Sequence, residues 1–143
     1  MLLMLIASLA AGLFAGAAVY ITAVEHPARM SCGTEVALRE FAPSYKRATV
    51  MQAALAIAGC LAGFGAAWQR QDPMVAVGAL LLGAVVPFTL IVIFPTNARL
   101  LDPALDPRGT EAAELLQTWG RLHAVRSVLS TLAFLLFVMR ATG

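Results

Sequence analysis

The stretch WGRLHAVRSVLSTLAFLLFVMR, residues 119–140, decides the fold. Between Arg126 and Arg140 stand only 13 uncharged residues. A helix needs about 20 to cross the hydrocarbon core. To span, it must begin near Trp119 and carry His123 and Arg126 into the membrane. The alternative is a re-entrant or interfacial piece. At about 100° per residue, Trp119, His123, Arg126 and Ser130 fall within a sector of about 60°. A charge near the centre of a spanning helix costs roughly 2.5 to 3.5 kcal/mol, less near an interface. That sector should therefore face the inside of a bundle and find a partner there.

Working outward, the rest of the chain supplies such a bundle. Three further uncharged runs have spanning length: Met1–Val24, Ala48–Gln69 and Met74–Asn97. The first lacks the positive n-region of a cleaved leader and reads as a spanning helix. Of the 143 residues, 60% are hydrophobic and 13% charged, with mean hydropathy +0.81. Soluble domains sit nearer half and a quarter. The expectation is an all-α integral membrane protein, a single domain built as a four-transmembrane-helix bundle. Its helices are placed near 2–24, 46–69, 74–94 and 112–139, with an interfacial helix near 34–42 that Pro43 separates from the second span. The net charge of +2 comes from scattered Lys and Arg, with no basic run, which excludes a nucleic-acid partner. Cys32 and Cys60 show no metal-binding spacing and read as free thiols.

Small residues mark where the helices should touch. Gly12/Gly16 and Gly59/Gly63 form GxxxG pairs, which permit close backbone approach in lipid. Tyr45, Thr49, Gln52, Ala56, Gly59 and Gly63 share one helical face, an inward seam that is polar at one end. Pro87 should kink the third span. The positive-inside rule puts residues 25–47 and 95–121 on the cytoplasmic side and both termini outside, in what reads as a bacterial inner membrane.

Polar groups from four segments converge on one level. Helical side chains lean toward their N-terminus, so His123 and Arg126 reach toward the face where Glu25 and His26 end the first span. Thr22 lies one turn deeper. Glu25 is the expected counter-charge for Arg126, with Arg47 competing. Pro95 should stop the third span, leaving Thr96 nearby and Asn97 free to cap a short helix. Tyr45 and Trp119 fit either the site or an interfacial aromatic belt. Candidate catalytic groups are His123, Arg126, Glu25 and Asn97. Candidate substrate contacts are Trp119, Gln52, Thr96, Tyr45 and Arg47.

The motifs Val24-Glu25-His26-Pro27-Ala28-Arg29, Phe41-Ala42-Pro43-Ser44-Tyr45-Lys46-Arg47 leading to Gln52, Phe94-Pro95-Thr96-Asn97, and Trp119 through His123-Ala124-Val125-Arg126-Ser127 run in order along the chain. Together they resemble the anthrone-oxygenase-like family of small integral membrane proteins. The resemblance covers nearly the whole chain. It implies oxidation of a lipophilic aromatic, an activated methylene becoming a carbonyl at the expense of dioxygen. It leaves open haem, iron, copper or no cofactor. Two other readings stand beside it. One is a haem- or metal-binding electron-transfer protein using His26 and His123. The other is a non-catalytic membrane subunit or carrier. Expected partners are the bilayer, a lipophilic small molecule, and a second copy or another membrane subunit.

Overall fold

In a computed structural model, which describes residues 1–142, four helices are long and apolar enough to cross a membrane. They are α1 (Leu2–Ser31), α2 (Thr34–Arg70), α3 (Pro73–Leu100) and α4 (Thr110–Thr142). No strand occurs among the described residues. Each helix packs on its neighbours in sequence, and α4 closes the ring on α1. The chain is a four-helix integral membrane bundle. At one end Arg108 pairs with Glu35 at 3.0 Å, tying the α3–α4 loop to the start of α2. At the other, Arg140 Nε donates to Asp72 at 2.7 Å, tying the C-terminal turn to the α2–α3 connection.

The connections follow local chemistry. Gly33 holds φ 92°, a left-handed value natural only to glycine, and α2 starts directly after it. Asp72 caps α3 by accepting from the Met74 amide at 3.0 Å, with Pro73 in the first turn.

Two expected boundaries move. Residues 34–42 are not a separate interfacial helix, because α2 runs unbroken for 37 residues through Pro43. That is about 55 Å of helix against a core of about 30 Å, so its first turns stand clear of the lipid. Pro43 and Arg39, whose carbonyl the proline deprives of a donor, are both exposed there, and the break costs little. Pro95 likewise does not stop α3. A π-helical turn, Thr89–Ile93, widens the helix just ahead of it, and the chain continues helical to Leu100. The same device, Ile21–Glu25, precedes Pro27 in α1. A proline ring collides with the carbonyl four residues back, and a wide turn there relieves the collision.

The interior is layered. One apolar core joins Ala7, Ala11, Phe14, Ala56, Leu82 and Phe137. A second joins Ile21, Phe41, Ile93, Leu116 and Trp119 nearer the loops. Glycines set the spacing in the first: a Cβ on Gly63 would lie 2.8 Å from the Phe137 ring, and one on Gly78 2.9 Å. Gly59 admits Leu82, but Gly16 faces open space, so only part of the small-residue pattern is used for contact. Between the two cores lies a polar layer made of Thr22, Gln52, His123, Arg126, Ser127 and Ser130.

Candidate functional site

The polar layer begins with α4. Trp119, His123 and Ser130 are buried, with His123 only 1% exposed. The face inferred from spacing is thus the inward one, and Trp119 belongs to it rather than to an aromatic belt. Thr22 comes from the π turn of α1, and its hydroxyl bridges His123 Nδ1 at 3.1 Å and Ser127 Oγ at 2.8 Å. Ser130 donates back to the Arg126 carbonyl at 2.7 Å. Pro27 therefore acts at a distance: it forces the wide turn, and the wide turn carries the group that fixes the imidazole.

Arg126 does not meet Glu25. Its Nη2 donates instead to Gln52 Oε1 at 2.7 Å, and its guanidinium lies 5.4 Å from the Phe14 ring centroid. No carboxylate neutralises it among the described residues. Arg126 Nε and Gln52 Nε2 are both buried with no hydrogen-bond partner. Glu25 is taken by Arg29, four residues on, which also holds Glu40 at 2.8 Å. Ser44 donates to the same Glu25 carboxylate at 2.9 Å. An (i, i+4) pair forms on its own helix face before any distant cation can compete. Arg29 lies 5.8 Å from the Trp119 ring centroid and helps roof the site.

These groups surround two recesses that share a wall. The first has about 310 Å³ of empty space, mouth included, bounded by Arg29, Phe41, Tyr45, Trp119, His123 and Arg126 among others. Its aromatics are mutually packed: Phe41 stands edge-on to Trp119 at 5.3 Å and stacks on Tyr45 at 5.6 Å. The second, about 420 Å³ on the same measure, is walled by Phe14, Ala53, Ala56, Val85, Val86 and Leu90. Thr49, Gln52 and Arg126 line both. The Gln52–Arg126 bond is thus a partition between an aromatic, polar chamber and an aliphatic one.

Of the residues singled out by sequence, the first chamber unites His123, Arg126, Gln52, Tyr45 and Trp119. Glu25 and Arg47 line an outer groove between α1 and α2 instead. Asn97 is not a cap: it lies inside the helix that continues past Pro95, 1% exposed, with both amide atoms unpartnered. Neither Asn97 nor Thr96 borders these chambers. Spacing alone did not bring forward Arg29, Phe41 or Ser44. Two signals were available: the Glu25–Arg29 interval of four, and the Ala37–Phe41–Tyr45 stripe.

His26 packs on the other residues rather than on the chamber. Its ring lies 5.2 Å from Trp119, and Gly120 makes room for it, since a Cβ there would stand 2.5 Å from Nε2. His123 meets the same indole at 4.8 Å. Both imidazoles thus contact one tryptophan, and only His123 lines the recess. Only one of the two therefore reaches the recess, where a two-histidine iron, copper or haem site would need both. No group of three or more His, Cys, Asp or Glu suited to a metal occurs among the described residues.

Nothing matches this chain among curated proteins or among solved structures. A family profile described as Anthrone oxygenase matches residues 41–136. That span contains Gln52, Trp119, His123 and Arg126, both sides of the partition, and stops short of Thr22 and Arg29 on α1. With most of its length matched, and all of the polar layer but Thr22 inside the match, the chain belongs to the anthrone oxygenase family.

Proposed function

We propose that this protein is a membrane-embedded oxygenase that converts the activated methylene of a lipophilic, anthrone-like aromatic to a carbonyl. One observation carries the reading: a fully buried histidine, oriented by Thr22, shares an aromatic-walled recess with a cation that has no carboxylate partner. With Nδ1–H donating to Thr22 and Thr22 donating to Ser127, Nε2 presents its lone pair as a base. The substrate ring packs against Trp119, Phe41 and Tyr45, which part to admit it, since the resting chamber has room for little more than a water molecule. His123 takes a methylene proton, and negative charge moves onto the ring carbonyl oxygen. Gln52 Nε2, a buried donor without an acceptor, stabilises that oxygen in a low-dielectric site beside the Arg126 charge. The carbanion adds dioxygen, regains a proton as a hydroperoxide, and loses water to leave the carbonyl. One oxygen atom of dioxygen enters the product and the other leaves as water, so the balance closes without a further reductant.

Glu25 and Arg47 act outside the chamber, at the groove through which a lipophilic substrate approaches. By the positive-inside rule the loop-bearing face, with Arg29, Lys46, Arg47, Arg99 and Arg108, is cytoplasmic.

The test is turnover of anthrone by the purified protein in lipid nanodiscs. His123→Ala should reduce the rate by about 10²- to 10⁴-fold, the usual contribution of a positioned base. Equal turnover by His123→Ala, in a variant that melts like the parent, would dismiss the proposal.

A further inference from the structure

The two chambers differ in what they can hold. Everything an aromatic organic substrate needs, the base and the aromatic walls, lies in the first. The second has no base and, apart from Phe14, only aliphatic and small side chains until Thr49, Gln52, Thr89 and Arg126. Its lining reaches Leu90, which is 63% exposed on the outer surface of the bundle. We propose that this aliphatic chamber is the dioxygen site, fed from the bilayer, and that dioxygen meets the substrate carbanion across the Gln52–Arg126 partition. The inference rests on the oxygenase reading for its chemistry.

Three features argue for dioxygen rather than a second part of the organic substrate. Dioxygen is apolar and dissolves better in hydrocarbon than in water, so the membrane is its reservoir and an aliphatic recess its natural port. A substrate that places a C–H bond at His123 already occupies the aromatic chamber. The chamber's one cation is Arg126, at the point where dioxygen would arrive. As electrons pass from the carbanion to dioxygen, negative charge grows on the oxygens, and a fixed cation there favours the transfer. The partition thus keeps the co-substrates in separate waiting places and joins them at a positive charge.

Narrowing the chamber tests this. Ala53→Leu and, independently, Val86→Phe add bulk at partly buried lining positions. Steady-state kinetics with anthrone should show the KM for dioxygen rising several-fold while the KM for anthrone stays unchanged. A rise in the anthrone KM with the dioxygen KM unmoved would assign the chamber to the organic ring and overturn the proposal. A second readout needs no turnover. The chain has two tryptophans, so Trp68→Phe, at a site 80% exposed, leaves Trp119 as the sole emitter. Dioxygen quenching of its emission in nanodiscs should fall several-fold in Ala53→Leu and Val86→Phe, while quenching by polar acrylamide is unaltered. Unchanged dioxygen quenching in both variants would refute the route. Lack of anthrone turnover with the quenching difference present would instead count against the oxygenase reading alone.

Discussion

The Gln52–Arg126 pair can be weighed by a double-mutant cycle with Gln52→Leu and Arg126→Met. Neither side chain makes any other side-chain hydrogen bond among the described residues, so each is the other's one hydrogen-bonding side chain there. Gln52→Leu leaves a guanidinium without an acceptor. Hydrogen bonds to charged groups contribute about 1.5 to 3 kcal/mol, and polar contacts between membrane helices average about 0.6 with a maximum near 1.7. A charged, doubly dependent pair belongs at the overlap, so this single change should cost about 2 kcal/mol. Arg126→Met leaves only a neutral amide unpaired, about 1 kcal/mol. The double variant replaces both by apolar groups, which is often close to neutral; about 1.5 kcal/mol is expected once imperfect packing is included. The coupling is then about 1.5 kcal/mol. Reversible unfolding by steric trapping in bicelles measures all four corners. Costs that add to within about 0.5 kcal/mol would mean the two side chains act independently and the partition is not a bonded unit.

Other parts of the structure make equally definite claims. Pro27→Ala should let α1 close into a regular helix, turn Thr22 away from His123, and lower kcat with little change in the anthrone KM; an unchanged kcat would break the link from proline to π turn to imidazole. Gly78→Ala drives a Cβ to 2.9 Å from the wedged Phe137 ring, and unfolding measurements should show about 1 to 3 kcal/mol lost to overpacking. The hydrogen bond from Arg140 holds the Asp72 carboxyl below its ordinary range. The stabilisation is therefore complete above the unfolded carboxylate pKa and fades as pH falls through the lower folded value. Asp72→Asn keeps a capping side chain but removes that charge, so its melting curve should depend less on pH in the acid range than the parent's.

Much of this was legible beforehand because membranes impose a length rule. Three spans followed from uncharged runs alone, and the fourth followed from the shortage of residues between Arg126 and Arg140, which drew His123 and Arg126 inward. The α4 face and the Gln52–Gly63 seam came from helical period. Partner choice was less legible. Depth made Glu25 a fair mate for Arg126, but the local Arg29 is nearer along its own helix and wins. Prolines misled in both directions. Pro43 and Pro95 look like helix ends in a string of letters, whereas one sits where solvent relieves it and the other behind a wide turn. The cavity between Gln52 and Leu90 arises from four helices jointly, and no single segment announces it.

The proposed reaction has dioxygen oxidising an activated methylene at His123. Anthrone supplied under ¹⁸O₂ to the purified protein in nanodiscs tests it most directly, with protein-free nanodiscs and His123→Ala as controls. A quinone carrying one ¹⁸O atom should form faster than in either control, with the other labelled atom in water. Product whose new oxygen comes from the solvent, or formed no faster than in protein-free nanodiscs, would contradict it.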